Sequence, residues 1–402
     1  MRSTQTSGSA RGNASALALG TVAFVACFYA WSLLGPLGPD LQDHLGLSEF
    51  QLATMVAVPV LLGSVLRVPF GVLTDRRGGR RMFVAVLSFT LVPLVALALW
   101  HDTFAAMLAF GLLLGVSGAS FAIGVPFVSR WYPADRQGFA LGVYGAGMGG
   151  TVLAGLTAPA IADAWGLAAP FWIAAAVVAV VGALFAWRAR DAAPPGATSG
   201  SIGDSLAPFR SDSRAWALTL FYFLAFGGFV AMFLYLPQLL TSVHDLSKSD
   251  AGARAAGFAL LAVIARPAGG ALADRIGAAQ VLRVSFVATA VLAIGLAAGY
   301  RSMVPLTAFC LTLAVALGLG TGAVFKLVAE WFPGQVGAVT GVVGAAGGLG
   351  GFFPPLVMGT VKSVTGSYVL GFVLLSSVAG ICFAVLARTM SASRHELGRN
   401  GS

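Results

Sequence analysis

The sequence predicts an all-α membrane protein in which twelve transmembrane helices form two pseudo-symmetric six-helix bundles. Three observations predict it. Hydrophobic residues make up 58% of the chain and charged residues only 10%, whereas a soluble domain carries about 25% charged residues. Twelve apolar runs approach or exceed the ~20 residues that a helix needs to cross ~30 Å of hydrocarbon. Residues of the first half also recur in the second at a fixed displacement of 199 positions: Arg67 with Arg266, Asp75 with Asp274, and Gly142, Gly145 and Gly149 with Gly341, Gly344 and Gly348.

The chain opens with a polar, basic tail, residues 1–15. The apolar run that follows is too long for a signal-peptide core and reads as a first span kept in the mature protein. The expected spans are 16–38, 50–73, 82–100, 104–128, 138–160 and 168–188, then 215–240, 252–273, 280–299, 303–328, 336–360 and 366–388. The N-terminal bundle therefore covers 16–188 and the C-terminal bundle 215–388. Between them, 189–214 holds Ala193-Pro194-Pro195-Gly196 and Ser199-Gly200-Ser201, a linker by composition. A tail, 389–402, closes the chain. An even number of spans places both ends on one face. Three of the 24 Lys and Arg (Arg67, Arg266, Lys326) lie inside spans, and four (Lys248, Arg254, Arg301, Lys362) fall on the face away from the termini. The remainder share the termini's face, so both ends are expected in the cytoplasm of a cell whose inner membrane the chain spans.

Several function classes are excluded. The net charge of +9 comes from short clusters between spans and not from a basic tract with interleaved aromatics, so nucleic acid is not a partner. Cys27, Cys310 and Cys382 lie in apolar runs without a Cys-x-x-Cys pair, and His44, His101, His244 and His395 show no ligand spacing; no metal and no cofactor is expected. No nucleophile–base pair or phosphate loop suggests an enzyme. The 189–214 linker is too short for a signalling domain, which argues against a membrane sensor.

Two stretches carry the chemistry. Leu66-Arg67-Val68-Pro69-Phe70-Gly71-Val72-Leu73-Thr74-Asp75-Arg76 and Ala265-Arg266-Pro267-Ala268-Gly269-Gly270-Ala271-Leu272-Ala273-Asp274-Arg275 each set an arginine eight residues ahead of an Asp-Arg pair. Eight helical residues span ~12 Å, which brings both arginines close to the midplane. A cation there costs at least ~2.5–3.5 kcal/mol. It is too deep to snorkel to the interface, and no span carries an Asp or Glu in its middle. A pair of matched buried guanidinium groups is best explained by an anion held between them, since the planar fork suits a small oxyanion. Asp75 and Asp274, with Arg76 and Arg275, are expected to hold the termini's face shut by capping a helix across the seam between halves. The glycine runs 142–150 and 341–351 read chiefly as close helix packing.

Gly71-Val72-Leu73-Thr74-Asp75-Arg76-Arg77-Gly78-Gly79-Arg80-Arg81 resembles the signature loop between spans two and three of the major facilitator superfamily, and 270–277 resembles its second copy. The 66–76 stretch, Ala30-Trp31 with Gly35-Pro36-Leu37-Gly38-Pro39, and the 341–354 string Gly341-Val342-Val343-Gly344-Ala345-Ala346-Gly347-Gly348-Leu349-Gly350-Gly351-Phe352-Phe353-Pro354 are similar to the nitrate/nitrite porter family. The resemblance implies the major facilitator fold, alternating access, and nitrate or nitrite gripped by Arg67 and Arg266. It implies aromatic walls at Phe121, Tyr222 and Phe226; the glycine density itself, taken with the arginines, leaves backbone at Gly145, Gly344 and Gly348 free to face a small ligand. Where family members often carry asparagines, this chain has Tyr144 and Met148, which leaves another small or organic anion as the alternative substrate. The Phe325-Lys326-Leu327-Val328 string resembles the family's proton-linked branch, and Lys326 is read either as snorkelling or as part of an exit path. Two fixed charges facing one anion favour exchange, while Lys326 favours proton symport. The expected partners are the small anion, protons in the symport case, and lipid; the chain is read as a monomer.

Overall fold

The computed structural model describes residues 13–192, 206–365 and 367–400; side chains are described except at a few positions, chiefly 351–365 and 392–400. Most of the expected N-terminal tail, the 193–205 part of the linker, the end of the C-terminal tail and the Lys362 side chain lie outside that description. Among the described residues the secondary structure is helical throughout. Eleven helices are long and apolar enough to cross a membrane, and Val336–Gly350 opens a twelfth. The protein is a multi-pass membrane protein.

The first half consists of α1 (Ala14–Ser32), α2 (Glu49–Arg77), α3 (Gly79–Leu99), α4 (Phe104–Ser129), α5 (Gln137–Trp165) and α6 (Ala169–Arg188). The second consists of α7, which runs as Ser213–Tyr222, a π turn at Phe223–Gly227 and Gly228–His244, then α8 (Lys248–Ile276), α9 (Ala278–Gly299), α10 (Met303–Trp331), α11 (Val336–Thr365) and α12 (Val369–Asn400). Two boundaries differ most from expectation: the last helix continues to Asn400, through most of the expected tail from 389, and the first span is interrupted. The run expected to span 16–38 stops being helical at Ser32 and restarts as a short helix, Gly38–Leu45. Pro36 has no N–H to continue the helix onto the Ser32 carbonyl, which the Gly35 amide takes at 3.2 Å in a tighter turn, and Pro39 is suited to the first turn of the next one.

Local chemistry sets the ends. Asn13 caps α1 by accepting from the Ala16 amide, and Ser48 with Gln51 forms a capping box on α2. Gly78 and Gly277, again 199 positions apart, take φ of 85° and 89° and let α2 turn directly into α3 and α8 into α9. A side chain at either would be strained.

The pairing of helices repeats between halves: α2 packs on α4 as α8 does on α10, α3 on α6 as α9 on α12, and α1 on α5 as α7 on α11. The halves meet along two equivalent seams, α2 against α11 and α5 against α8. Glycine makes those seams possible. A Cβ at Gly71 would strike the Gly337 carbonyl, and one at Gly270 the Gly138 carbonyl. At the level of the arginines, a Cβ on Gly341 would lie 2.5 Å from the Arg67 carbonyl oxygen, and one on Gly142 2.6 Å from that of Arg266. The glycine runs thus act first as packing surfaces between the halves.

Candidate functional site

Arg67 on α2 and Arg266 on α8 are both only 3% exposed, and neither meets a carboxylate among the described residues. Each reaches across the seam instead. The Arg67 Nη1 donates to the Gly344 carbonyl of α11 at 2.5 Å, and the Arg266 Nη1 to the Gly145 carbonyl of α5 at 3.2 Å. Gly145 and Gly344 are themselves related by the 199-residue displacement, so the pseudo-symmetry extends to the acceptors. Arg67 Nε also donates to Gly118 at 3.3 Å, and Arg266 Nη1 lies 2.7 Å from the Met148 sulfur. Arg266 Nε is buried with no hydrogen-bond partner among the described residues. A buried donor without an acceptor costs about 1–3 kcal/mol, more when charged.

Aromatic rings join the two guanidinium groups. Arg67 lies 5.9 Å from the Phe121 centroid; Phe121 stacks on Tyr222 at 6.0 Å and 6°; Tyr222 stacks on Phe226 at 5.3 Å and 4°; and Phe226 lies 5.6 Å from Arg266. Tyr222 also interacts with Arg266 through its hydroxyl. These rings and charges therefore form one cluster, drawn from α2, α4, α7 and α8. Gly344 and Gly348 line its α11 side: a Cβ on either would lie 3.3 Å from Arg67 atoms.

Sequence reasoning missed several members. Phe325 of α10 meets both Phe121 and Tyr222 edge-on at 4.7 Å, Phe24 of α1 extends the stack through Tyr144, and Phe229 lies 5.8 Å from Arg266. Phe229 left a signal, one helical turn beyond Phe226, and Phe325 opened the family-like string that includes Lys326. Ser64 of α2, one turn before Arg67, is buried against Gly348.

Tyr144 does not supply a free donor in the place of the family's asparagine. Its hydroxyl donates to the Ser120 carbonyl at 2.9 Å, and the ring fills the space over Gly124, within the first half. Met148 does reach the cluster, as an acceptor toward Arg266.

The termini's face is closed by two related but unequal locks. Asp75 accepts from the Ala338 amide at the start of α11 at 2.9 Å and pairs with Arg130 at 2.8 Å. Asp274 accepts from the Gly138 and Phe139 amides at the start of α5, at 2.8 and 2.7 Å, and pairs with Lys326 at 3.0 Å. Each carboxylate caps the helix of the opposite half, where the macrodipole favours it. The cations differ from expectation. Arg275 is exposed and Arg76 half-buried, and the cations that pair with the two carboxylates are Arg130 and Lys326. Lys326 does not snorkel: it is buried, donates to the Ala134 carbonyl, and lies 3.5 Å from Glu330 as well as against Asp274.

The Major Facilitator Superfamily model matches residues 20–298 and 235–402. The chain is 42% identical over 373 residues to a Mycobacterium tuberculosis protein named "Probable nitrate/nitrite transporter NarK2", covering 92% of this chain and 94% of that one. It is 37% identical over 374 residues to the "Nitrite extrusion protein" of Bacillus subtilis (92% and 93% covered), and 38% identical over 371 to "Probable nitrate transporter NarT" of Staphylococcus carnosus (92% and 93%). Among solved structures, the human organic anion transporter MFSD10 superposes with a TM-score of 0.77 at 18% identity, covering 92% of this chain and 98% of its own. FucP in its outward conformation gives 0.77 at 17%, covering 93% and 98%. At those identities the likeness concerns the fold alone.

Proposed function

Because the chain belongs to the nitrate/nitrite porter family of the major facilitator superfamily, and is accordingly a transporter and not an enzyme, we propose that it moves nitrate and nitrite across the membrane by alternating access. Arg67 and Arg266 grip the anion from opposite halves, and the Phe121–Tyr222–Phe226 stack provides flat walls that exclude water. The termini's face is the cytoplasmic one. The observation that carries this reading is the pair of buried guanidinium groups, one per half, that meet no carboxylate among the described residues and rest on the opposite half's glycine carbonyls.

The arrangement supports a cycle. An oxyanion offers better acceptors than a neutral carbonyl, since charge-assisted hydrogen bonds are roughly twice as strong as neutral ones. Binding therefore draws both forks onto one ligand and pulls the halves together around it. Without an anion, two like charges resist passing through a dry, tightening seam. This favours exchange of one anion for another. A second coupling, proton-linked uptake, is favoured by the buried Lys326, which with Asp274 and Glu330 makes a cluster of titratable groups on the termini's side of the site.

Purified protein in liposomes tests both. Nitrate uptake that requires internal nitrite or nitrate supports exchange, and uptake driven by an imposed pH gradient alone supports symport. Absence of nitrate and nitrite flux under both conditions, with another anion carried instead, would overturn the substrate assignment.

A further inference from the structure

On the face away from the termini, the fold brings together two histidines that lie 57 positions apart in the chain. His44 ends the short helix Gly38–Leu45, and His101 with Asp102 forms the α3–α4 connection. We propose that His44, His101 and Asp102 form a binding site for a divalent transition-metal ion, Zn²⁺ in the first instance, that ties these two connections of the N-terminal bundle together.

The geometry is close to that of a three-ligand zinc site. One ligand atom from each residue lies within 4.8 Å of the other two. His44 Nε2 is 2.8 Å from Asp102 Oδ1, and His101 Nε2 is 3.6 Å from the same oxygen. Ligands at 2.0–2.2 Å around tetrahedral zinc lie about 3.3 Å apart, so these separations bracket the required edge. The His101 tautomer points the same way. Its Nδ1 lies 3.1 Å from the Ala98 carbonyl oxygen, which can only accept, so Nδ1 carries the proton. A backbone carbonyl on the far nitrogen is the arrangement that orients metal-bound histidines. It leaves Nε2 facing the Asp102 carboxylate, where a proton or a metal ion can sit between the two.

His44 holds the proton of its Nε2–Asp102 hydrogen bond. Metal binding at Nε2 moves that proton to Nδ1 when the ring carries one proton, or releases it to solvent when Nδ1 already holds another. The Asp102 carboxylate oxygen that accepts from His44 Nε2 at 2.8 Å also faces His101 Nε2 at 3.6 Å, so one oxygen is presented to both rings. Imidazole with carboxylate suits zinc, copper or nickel and is a poor site for magnesium or calcium. The fourth position opens to water, since His44 and Asp102 are 43% and 66% exposed. All three ligands belong to one half, so the ion travels with that bundle and does not lock the transport cycle.

Metal-stripped, full-length protein in detergent tests the site by competition with a chromophoric zinc chelator and by thermal unfolding. The expected result is one Zn²⁺ per chain, a higher unfolding temperature with Zn²⁺ and none with Mg²⁺, and affinity lower by about tenfold or more in His44→Ala and in Asp102→Asn. Asp43→Asn, an exposed neighbouring charge, should bind as the parent does. Co²⁺ bound to the unaltered protein should show the intense visible absorption of a tetrahedral site, a reading that needs no variant to fold. Zinc held equally by His44→Ala and Asp102→Asn, no stoichiometric zinc, or an octahedral cobalt spectrum would overturn the proposal.

Discussion

Replacing Asp274 with asparagine should loosen the termini's face far more than the equivalent change at Asp75. The lock residues explain the difference. Lys326 is 4% exposed and Asp274 7%, so the substitution strands a buried ammonium with only the Glu330 carboxylate, 3.5 Å away, to offset it. Removing one partner of a buried pair costs about 3–5 kcal/mol. Arg130, by contrast, is 29% exposed and can turn to water once Asp75 is neutral. That change costs the hydrogen bonds to a charged acceptor, about 1.5–3 kcal/mol. A difference of ~2 kcal/mol corresponds to about 30-fold in the ratio of closed to open seam. Hydrogen exchange reads it directly, because the Gly138 and Phe139 amides donate to Asp274 and the Ala338 amide donates to Asp75. In Asp274→Asn the peptide around Gly138 should exchange about 10²–10³-fold faster, and in Asp75→Asn the peptide around Ala338 about 10–100-fold faster. Asp274→Asn combined with Lys326→Met should recover most of the protection, since the stranded charge is gone. Equal acceleration in the two single variants, or no recovery in the double, would refute the argument that burial of Lys326 sets the asymmetry.

Arg67→Lys and Arg266→Lys keep the charge and lose the fork, and each should abolish nitrate and nitrite flux in liposomes while membrane insertion is retained; near-normal flux in either removes that arginine from the site. Gly71→Ala and Gly270→Ala place a methyl group against the opposite half's backbone and should lower flux at least ~10-fold by holding the seam apart, whereas Gly155→Ala, with open space around it, should leave flux unchanged and firm up its helix by about 0.5–1 kcal/mol. Tyr222→Phe retains the stack but removes the hydroxyl beside Arg266, so the apparent affinity for the anion should fall with thermal stability kept. Tyr144→Phe should do the opposite: it leaves the Ser120 carbonyl without its donor, costing about 1–3 kcal/mol of stability, with affinity little changed.

Much of this molecule was legible before any coordinates. Hydrocarbon admits only helices with internally satisfied backbones, so the apolar runs had to be helical spans, and their number and the charge of their connections follow from counting. The 199-residue displacement announced two like halves, and the cost of an arginine in hydrocarbon marked Arg67 and Arg266 as belonging together. The Asp75 and Asp274 carboxylates were recognisable as seam elements because each ends a span next to a tight glycine turn.

What the sequence could not settle was which surface of each span meets which neighbour. A membrane helix is apolar all round, so its composition does not reveal the face turned inward. Partner identity then depends on packing between helices distant in the chain. That is why Arg130 and Lys326, distant in the chain, pair with Asp75 and Asp274, why Tyr144 spends its hydroxyl on Ser120, and why Phe24 and Phe325 join the aromatic cluster. Composition and repetition determined twelve helices, two halves and a pair of costly charges; only the tertiary structure decided what those charges touch, because a contact across a seam is a property of two surfaces and is written in neither one alone.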